Sequence, residues 1–343
     1  MSKYYISSLN GLSGISKYSS DFFRLVLKEK GYIPVNSDQS LSTILSQVGS
    51  RDRVHIELGI FQKNEINLLF SMLKANYKNV SVTLHDAPLI KYPFYEFKSP
   101  FLNNLAKLYD HYGSRFGSAK PYIHKIKSIY VLSHKGLEAV RSKYNAHNVY
   151  YLPHVVDVNE IERSTASNNN FIYFGFIGPN KGIEYSLQLH QKLLRYYPDI
   201  QFYIVGKPIG RQVIFYDYLR STYKENVHYL GYIEEELLKD VFKKAMFAMQ
   251  LFKNYKFFWP FSGSILYSLK KGKIVLTTKE NSIPEIIEDG KNGYFLTGTI
   301  KEDLQKLRNY ISSKELLEKV KTGAVDYLMT NHSPELVRQK FID

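Results

Sequence analysis

The stretch FGFIGPNKGIEYS, Phe174–Ser186, places three signals side by side. An apolar run that reads as a strand stops at a loop holding Gly175, Gly178, Lys181 and Gly182. A helical pattern then begins. Glycines let a backbone come close to a ligand, and the first amides of a helix favour an anion. Lys181 adds a full positive charge. Together these features suit a diphosphate. Two further loops follow strands and open helices: GLSGISK at residues 11–17 and PFSGSILY at residues 260–267. The chain has no Gly-x4-Gly-Lys-Ser/Thr loop and no Gly-x-Gly-x-x-Gly. That argues against a P-loop NTPase and a dinucleotide fingerprint.

Outward from this loop, the chain alternates strands and helices. In the first half, KYYISSL, RVHIELGIF, NVSVTLHD and KSIYVLS read as strands. ISKYSSDFFRLVLKEKGY, NEINLLFSMLKANY and KGLEAVRSKY read as helices. Gly31 is a helix C-cap. The pattern restarts at FIYFGFIG and runs through IQFYIVGKP, NVHYLGYI, MFAMQLF and KIVLTT, with helices between. Two such series predict two doubly wound α/β domains. Ligands of such sheets sit at the carboxyl ends of the strands, which places the expected site in a cleft between the domains.

The 343 residues contain no cysteine, which excludes disulfides, Cys-ligated zinc, Fe–S clusters and thiol catalysis. MSKYYISSLNGLSG lacks the long apolar core of a signal peptide, and no apolar run approaches a membrane span. The expectation is a cytoplasmic protein. The formal charge of +14 is uneven: residues 1–155 hold 20 Lys/Arg against 10 Asp/Glu, whereas the rest holds 26 against 22. A basic first half suits an anionic partner. Residues 91–127 carry seven Lys/Arg and two Asp/Glu interleaved with aromatics, a composition that suits the headgroups of an acidic membrane. No nucleic-acid-binding motif is present, and no nucleic-acid partner is expected. Asp-x-Asp does not occur in the chain.

In their order, these pieces resemble family 4 of the retaining GT-B glycosyltransferases, the glycosyl transferases group 1, over nearly the whole chain. GLSGISKYSSDFFRLVLKEKGY looks like the family's glycine loop and first helix. VTLHDAP looks like its strand ending in histidine. FGFIGPNKGIEYSLQLHQKLLRYYPDIQFYIVGKP resembles the opening of its second domain. NVHYLGYIEEELLKDVFKKAMFAMQLF resembles its nucleotide-binding segment, and GKIVLTTKENSIPEIIEDGKNGYFL the segment after its donor helix.

The resemblance implies two Rossmann-like parallel-sheet domains facing a central cleft. Residues 1–157 would bind the acceptor and 158–325 the sugar nucleotide; 326–343 would be a helix returning to the first domain. It implies transfer of a sugar from a nucleoside diphosphate sugar to a glycan or lipid-linked acceptor, with no cofactor and no metal. Lys181 would neutralise the departing diphosphate. His85 would stand beside the donor sugar and the reaction centre as a hydrogen-bonding group. Asp86 would orient a loop or the acceptor. Gly14, Ser262, Gly263, Ser264 and Glu285 would bind the diphosphate and sugar, and Tyr232 with Ile233 would pack against the base.

The chain departs from the family in two places. Many members carry Glu-x7-Glu across the donor loop; here the pair falls at Trp259 and Tyr267, or at Pro260 and Ser268. An Arg often precedes the loop lysine; here Phe176 stands there, with Lys207 and Arg211 as substitutes. The alternative is a non-catalytic GT-B partner subunit or glycan-binding protein.

Overall fold

The structure is a computed structural model. It describes residues 1–9, 11, 13–60, 62–90, 101–102, 105, 120–163, 168–208, 210, 212–254 and 259–342. Most of the basic-aromatic segment 91–127, together with Arg211, lies outside the described residues. The chain forms two compact units. The first comprises Met1–Asp157, Tyr255–Phe261 and Ser333–Asp343; the second comprises Val158–Asn254 and Ser262–His332.

The first unit is built on six parallel strands: β1 (Lys3–Ser7), β2 (Tyr32–Asn36), β3 (Arg53–Leu58), β4 (Val80–Leu84), β5 (Ser128–Val131) and β6 (Val149–Tyr151). They lie in the order β2-β1-β3-β4-β5-β6. Its helices are α1 (Gly14–Phe22), α2 (Leu41–Gln47), α3 (Lys63–Lys74), α4 (Lys120–Ile123) and α5 (His134–Tyr144). Crossover helices cover both faces of such a sheet, which is why β3 and β5 are buried almost throughout. Ile56, Val82, Ile129, Met72 and Val140 form one core on this sheet.

Ser13 caps α1 by accepting from the Ser16 amide, and the helix runs on into a π-helical turn at Phe23–Leu27. Gly31 takes φ +75°, as its C-cap reading requires. The sequence reading did not foresee β2 or α2. Pro34 lies within β2, which is tolerated because β2 is an edge strand.

The second unit repeats the plan with β7 (Phe171–Phe174), β8 (Phe202–Val205), β9 (Val227–Gly231), β10 (Phe247–Gln250), β11 (Ile274–Thr278) and β12 (Tyr294–Leu296). The order is β12-β11-β10-β7-β8-β9, again all parallel. Its helices are α6 (Ile183–Leu193), α7 (Gln212–Thr222), α8 (Glu235–Lys243), α9 (Gly263–Lys270), α10 (Ile300–Ser312) and α11 (Lys314–His332). Residues 282–290 form only a 3-10 turn at Ile283–Glu285; the Glu288 amide, which a longer ladder would use, donates instead to the Asn292 side chain at 2.8 Å.

The last helix, α12 (Pro334–Lys340), belongs to the first unit. Phe341 packs edge-on to Phe22 and His55, and the Tyr130 hydroxyl donates to the Ile342 carbonyl at 2.6 Å. Two parallel six-stranded sheets with helical crossovers are the expected fold class. Among the described residues, no helix is long and apolar enough to cross a membrane.

Candidate functional site

In the second unit the expected donor residues collect at the carboxyl ends of the strands. Phe174 ends β7 and Gln250 ends the neighbouring β10. The buried Gln250 side chain donates to the Phe174 carbonyl at 2.9 Å and accepts from the Ser264 hydroxyl at 3.3 Å. Ser262 caps α9 by accepting from the Ile265 amide, and its hydroxyl lies 3.2 Å from that of Ser264. Gly263 is exposed at the first position of the helix. The Ser262–Ser264 turn and the loop opened by Gly175 are thus tied together through one buried amide.

Lys181 ends a single 3-10 turn, Pro179–Lys181, and its ammonium sits 4.8 Å from the centre of the Phe252 ring. The Asn180 carbonyl accepts from the Lys253 amide at 2.9 Å, which pins the loop to the chain leaving β10. Gly182 opens α6 at φ +65°. A β-carbon there would fall 1.8 Å from the Leu251 carbonyl oxygen, so only glycine fits.

Further along the same edge, Glu285 is half-buried in the turn after β11, with its backbone carbonyl accepting from the Tyr327 hydroxyl. Tyr232 and Ile233 follow β9; Tyr232 is exposed. β9 lies two strands beyond β7, about 10 Å away at normal strand spacing. Phe176 is exposed, as is Lys207.

In the first unit, Gly14 is the first residue of α1, exposed, with nothing within 4 Å of an added β-carbon. His85 follows β4, and its amide donates to the Leu58 carbonyl at the end of β3. The Asp86 carboxylate accepts from the Ile60 amide at 3.1 Å, so it holds the loop after β3. Trp259 donates its backbone N–H to the Ala87 carbonyl at 2.8 Å.

Beneath His85 lies Glu57, which the sequence reading passed over. Its carboxylate is fully buried. One oxygen accepts from His85 Nε2 at 2.8 Å; the other accepts from the Tyr5 hydroxyl at 3.0 Å and faces His55 Nε2 at 3.3 Å. Burial alone would push this carboxyl up. The hydrogen bonds and charges of His55 and His85 outweigh it and hold the group down at about 2. Burial and the Glu57 charge push the phenols of Tyr5 and Tyr18 well up, so both keep their protons. Tyr18 meets the rings of His85 and His154 edge-on, at 4.8 and 4.6 Å. Arg53, His55 and Glu57 share one face of β3 and Val54, Ile56 and Leu58 the other, and that polar face was the available signal.

Residues 157–325 match the family model of glycosyl transferases group 1. The second half of the chain carries the glycosyl transferases group 1 domain, and the two parallel-sheet units have the GT-B fold. Solved structures carry the same fold at low identity. Anabaena HepE in complex with UDP-glucose is 14% identical, with a TM-score of 0.69 over 99% of this chain and 97% of that one. Sucrose-phosphate synthase from Thermosynechococcus elongatus is 11% identical, with a TM-score of 0.74 over 99% and 96%. Staphylococcus aureus TarM, as a mutant in complex with Fondaparinux, α-GlcNAc-glycerol and UDP, is 14% identical, with a TM-score of 0.63 over 88% of this chain; the chain spans 57% of its length. No curated protein sequence matches the chain.

The resemblance would place the second donor-loop carboxylate at Tyr267 or at Ser268. Tyr267 packs against Phe174 and Phe242, with ring centres 5.0 and 5.2 Å apart. Ser268 is buried and donates to the Ser264 carbonyl. Either register therefore fills the second position with a packed side chain.

Proposed function

We propose that this glycosyltransferase moves a sugar, with retention of configuration, from a nucleoside diphosphate sugar to a hydroxyl of a glycan or lipid-linked acceptor in surface-polysaccharide synthesis. The observation that carries the reading is the edge of the second sheet. There Lys181, the amides opening α9 and the Ser262 and Ser264 hydroxyls lie at the ends of adjacent strands. Such an edge suits two phosphates. Lys181 takes charge on the leaving diphosphate, and no divalent ion is required for that role. Tyr232 and Ile233 pack on the base, Glu285 supports the sugar end, and Gly14 opens the first-unit amides to the diphosphate. His85 hydrogen-bonds the sugar. HepE with UDP-glucose and TarM with UDP support a nucleotide-sugar donor. Peripheral contact with the cytoplasmic face of an acidic membrane through residues 91–127 belongs to the same proposal.

Calorimetric titration with UDP, GDP, ADP and their sugars, on wild type and Lys181→Ala, tests the reading. Micromolar binding of one nucleotide, lost in the variant, supports it. No binding across the panel overturns it. The packed Tyr267 in place of a carboxylate favours a second reading, a non-catalytic GT-B partner subunit. Nucleotide binding without transfer or donor hydrolysis would select that one.

A further inference from the structure

The environment of Glu57 carries a consequence for His85. Glu57 sits on β3 and His85 follows β4, and the parallel register of these strands brings their side chains together. Every group around the carboxylate is placed to donate: the Tyr5 hydroxyl from β1, His55 Nε2 from β3 itself and His85 Nε2 from beyond β4. His55 is anchored in turn, with Nδ1 at 2.9 Å from the Ser81 hydroxyl and Nε2 at 2.9 Å from that of Thr83. Tyr18 from α1 holds the His85 ring edge-on and itself meets His154. An ionised carboxylate only accepts hydrogen bonds. The proton between Glu57 and His85 therefore sits on Nε2, and in the neutral ring Nδ1 carries a lone pair. Among the described residues Nδ1 has no hydrogen-bond partner, and the His85 side chain is 10% exposed.

We propose that Glu57 is a positioning residue. It fixes His85 in the Nε2–H tautomer and leaves Nδ1 as the acceptor for a hydroxyl of the bound sugar. This rests on the glycosyl-transfer reading above for the identity of the ligand, but the tautomer does not. A histidine held this way selects a ligand that donates a proton at that point, and rejects an analogue in which the hydroxyl is replaced by hydrogen or methoxy. The arrangement differs from an ordinary core ion pair. A core pair gains nothing from leaving one ring nitrogen open toward solvent, and its loss would act on stability alone.

The test is the 15N spectrum of histidine-labelled protein, with the His85 signals assigned through His85→Asn. The expected wild-type pattern is the Nε2–H tautomer at pH 8. In Glu57→Gln the side-chain amide can accept or donate, so the expected spectrum is a mixture of tautomers, and Glu57→Asp restores a single one. With UDP-glucose as probe, Glu57→Gln lowers kcat for donor hydrolysis about 10²-fold, with UDP affinity unchanged. A wild-type Nδ1–H tautomer overturns the proposal even if no Glu57 variant folds. So does a Glu57→Gln protein with an unchanged His85 spectrum. If wild type binds no nucleotide, the glycosyl-transfer reading fails while the tautomer is still read directly.

Discussion

Gly182 lies so close to Leu251 that a β-carbon would overlap the Leu251 carbonyl oxygen at 1.8 Å, and its φ is +65°. Strain and overlap act together here. Gly182→Ala should cost about 2 kcal/mol or more and loosen the turn that carries Lys181. Urea unfolding reads the first effect; nucleotide titration of the folded fraction reads the second. An unchanged midpoint would contradict this account of the glycine.

Lys181 itself is half-buried over Phe252. Lys181→Gln keeps much of the stem that packs there, so stability should change by less than about 0.5 kcal/mol. Loss of the charge should slow transfer about 10²-fold through the leaving group. A thermal melt beside a rate measurement separates the two.

Tyr267, one of two positions where the resemblance would place a donor-loop carboxylate, is packed between Phe174 and Phe242. Restoring an acidic residue should therefore not restore a donor contact. Tyr267→Glu removes an aromatic cluster and buries a carboxyl in its place, at an expected cost of about 3 kcal/mol. Enhanced turnover in that variant would contradict the packing argument.

Glu57 is held at about 2, below the ordinary carboxyl value of 4.5. The unfolded chain binds the proton first as pH falls, so Glu57 contributes stability above about 4.5 and loses it progressively down to about 2. In Glu57→Gln this segment of the acid-stability curve should flatten. Denaturant midpoints at pH 5, 4 and 3 for both proteins check it.

Lys273 gives a slope of the same sign in a higher pH window. It is buried after α9 and donates to the Ala245 carbonyl at 2.9 Å; burial lowers its ammonium from 10.5 to about 8 despite the charge of Glu162. Between about pH 8 and 10.5 the unfolded chain holds a proton that the folded one has released, so this group makes stability rise with pH there. Lys273→Met should remove that rise, as unfolding at pH 7, 9 and 10 would show.

The strand-loop-helix order and the loop around Lys181 were legible because each depends on neighbours a few residues apart. Alternation, helical spacing, Ser caps and a glycine before a helix are local patterns. β2 was not legible: Pro34 lowers its strand signal, and only its place at the sheet edge makes it acceptable. Ser264 was read as a candidate ligand group, but its tie to Gln250 was not foreseen; that contact follows from β10 lying beside β7. Glu57 sat unnoticed in a buried strand. Its pairing with His85, 28 residues away, depends on β3 and β4 being parallel neighbours in one register. A one-residue shift would have turned those side chains to opposite faces. Local sequence specified the pieces and their order; register and burial decided which polar groups share a proton.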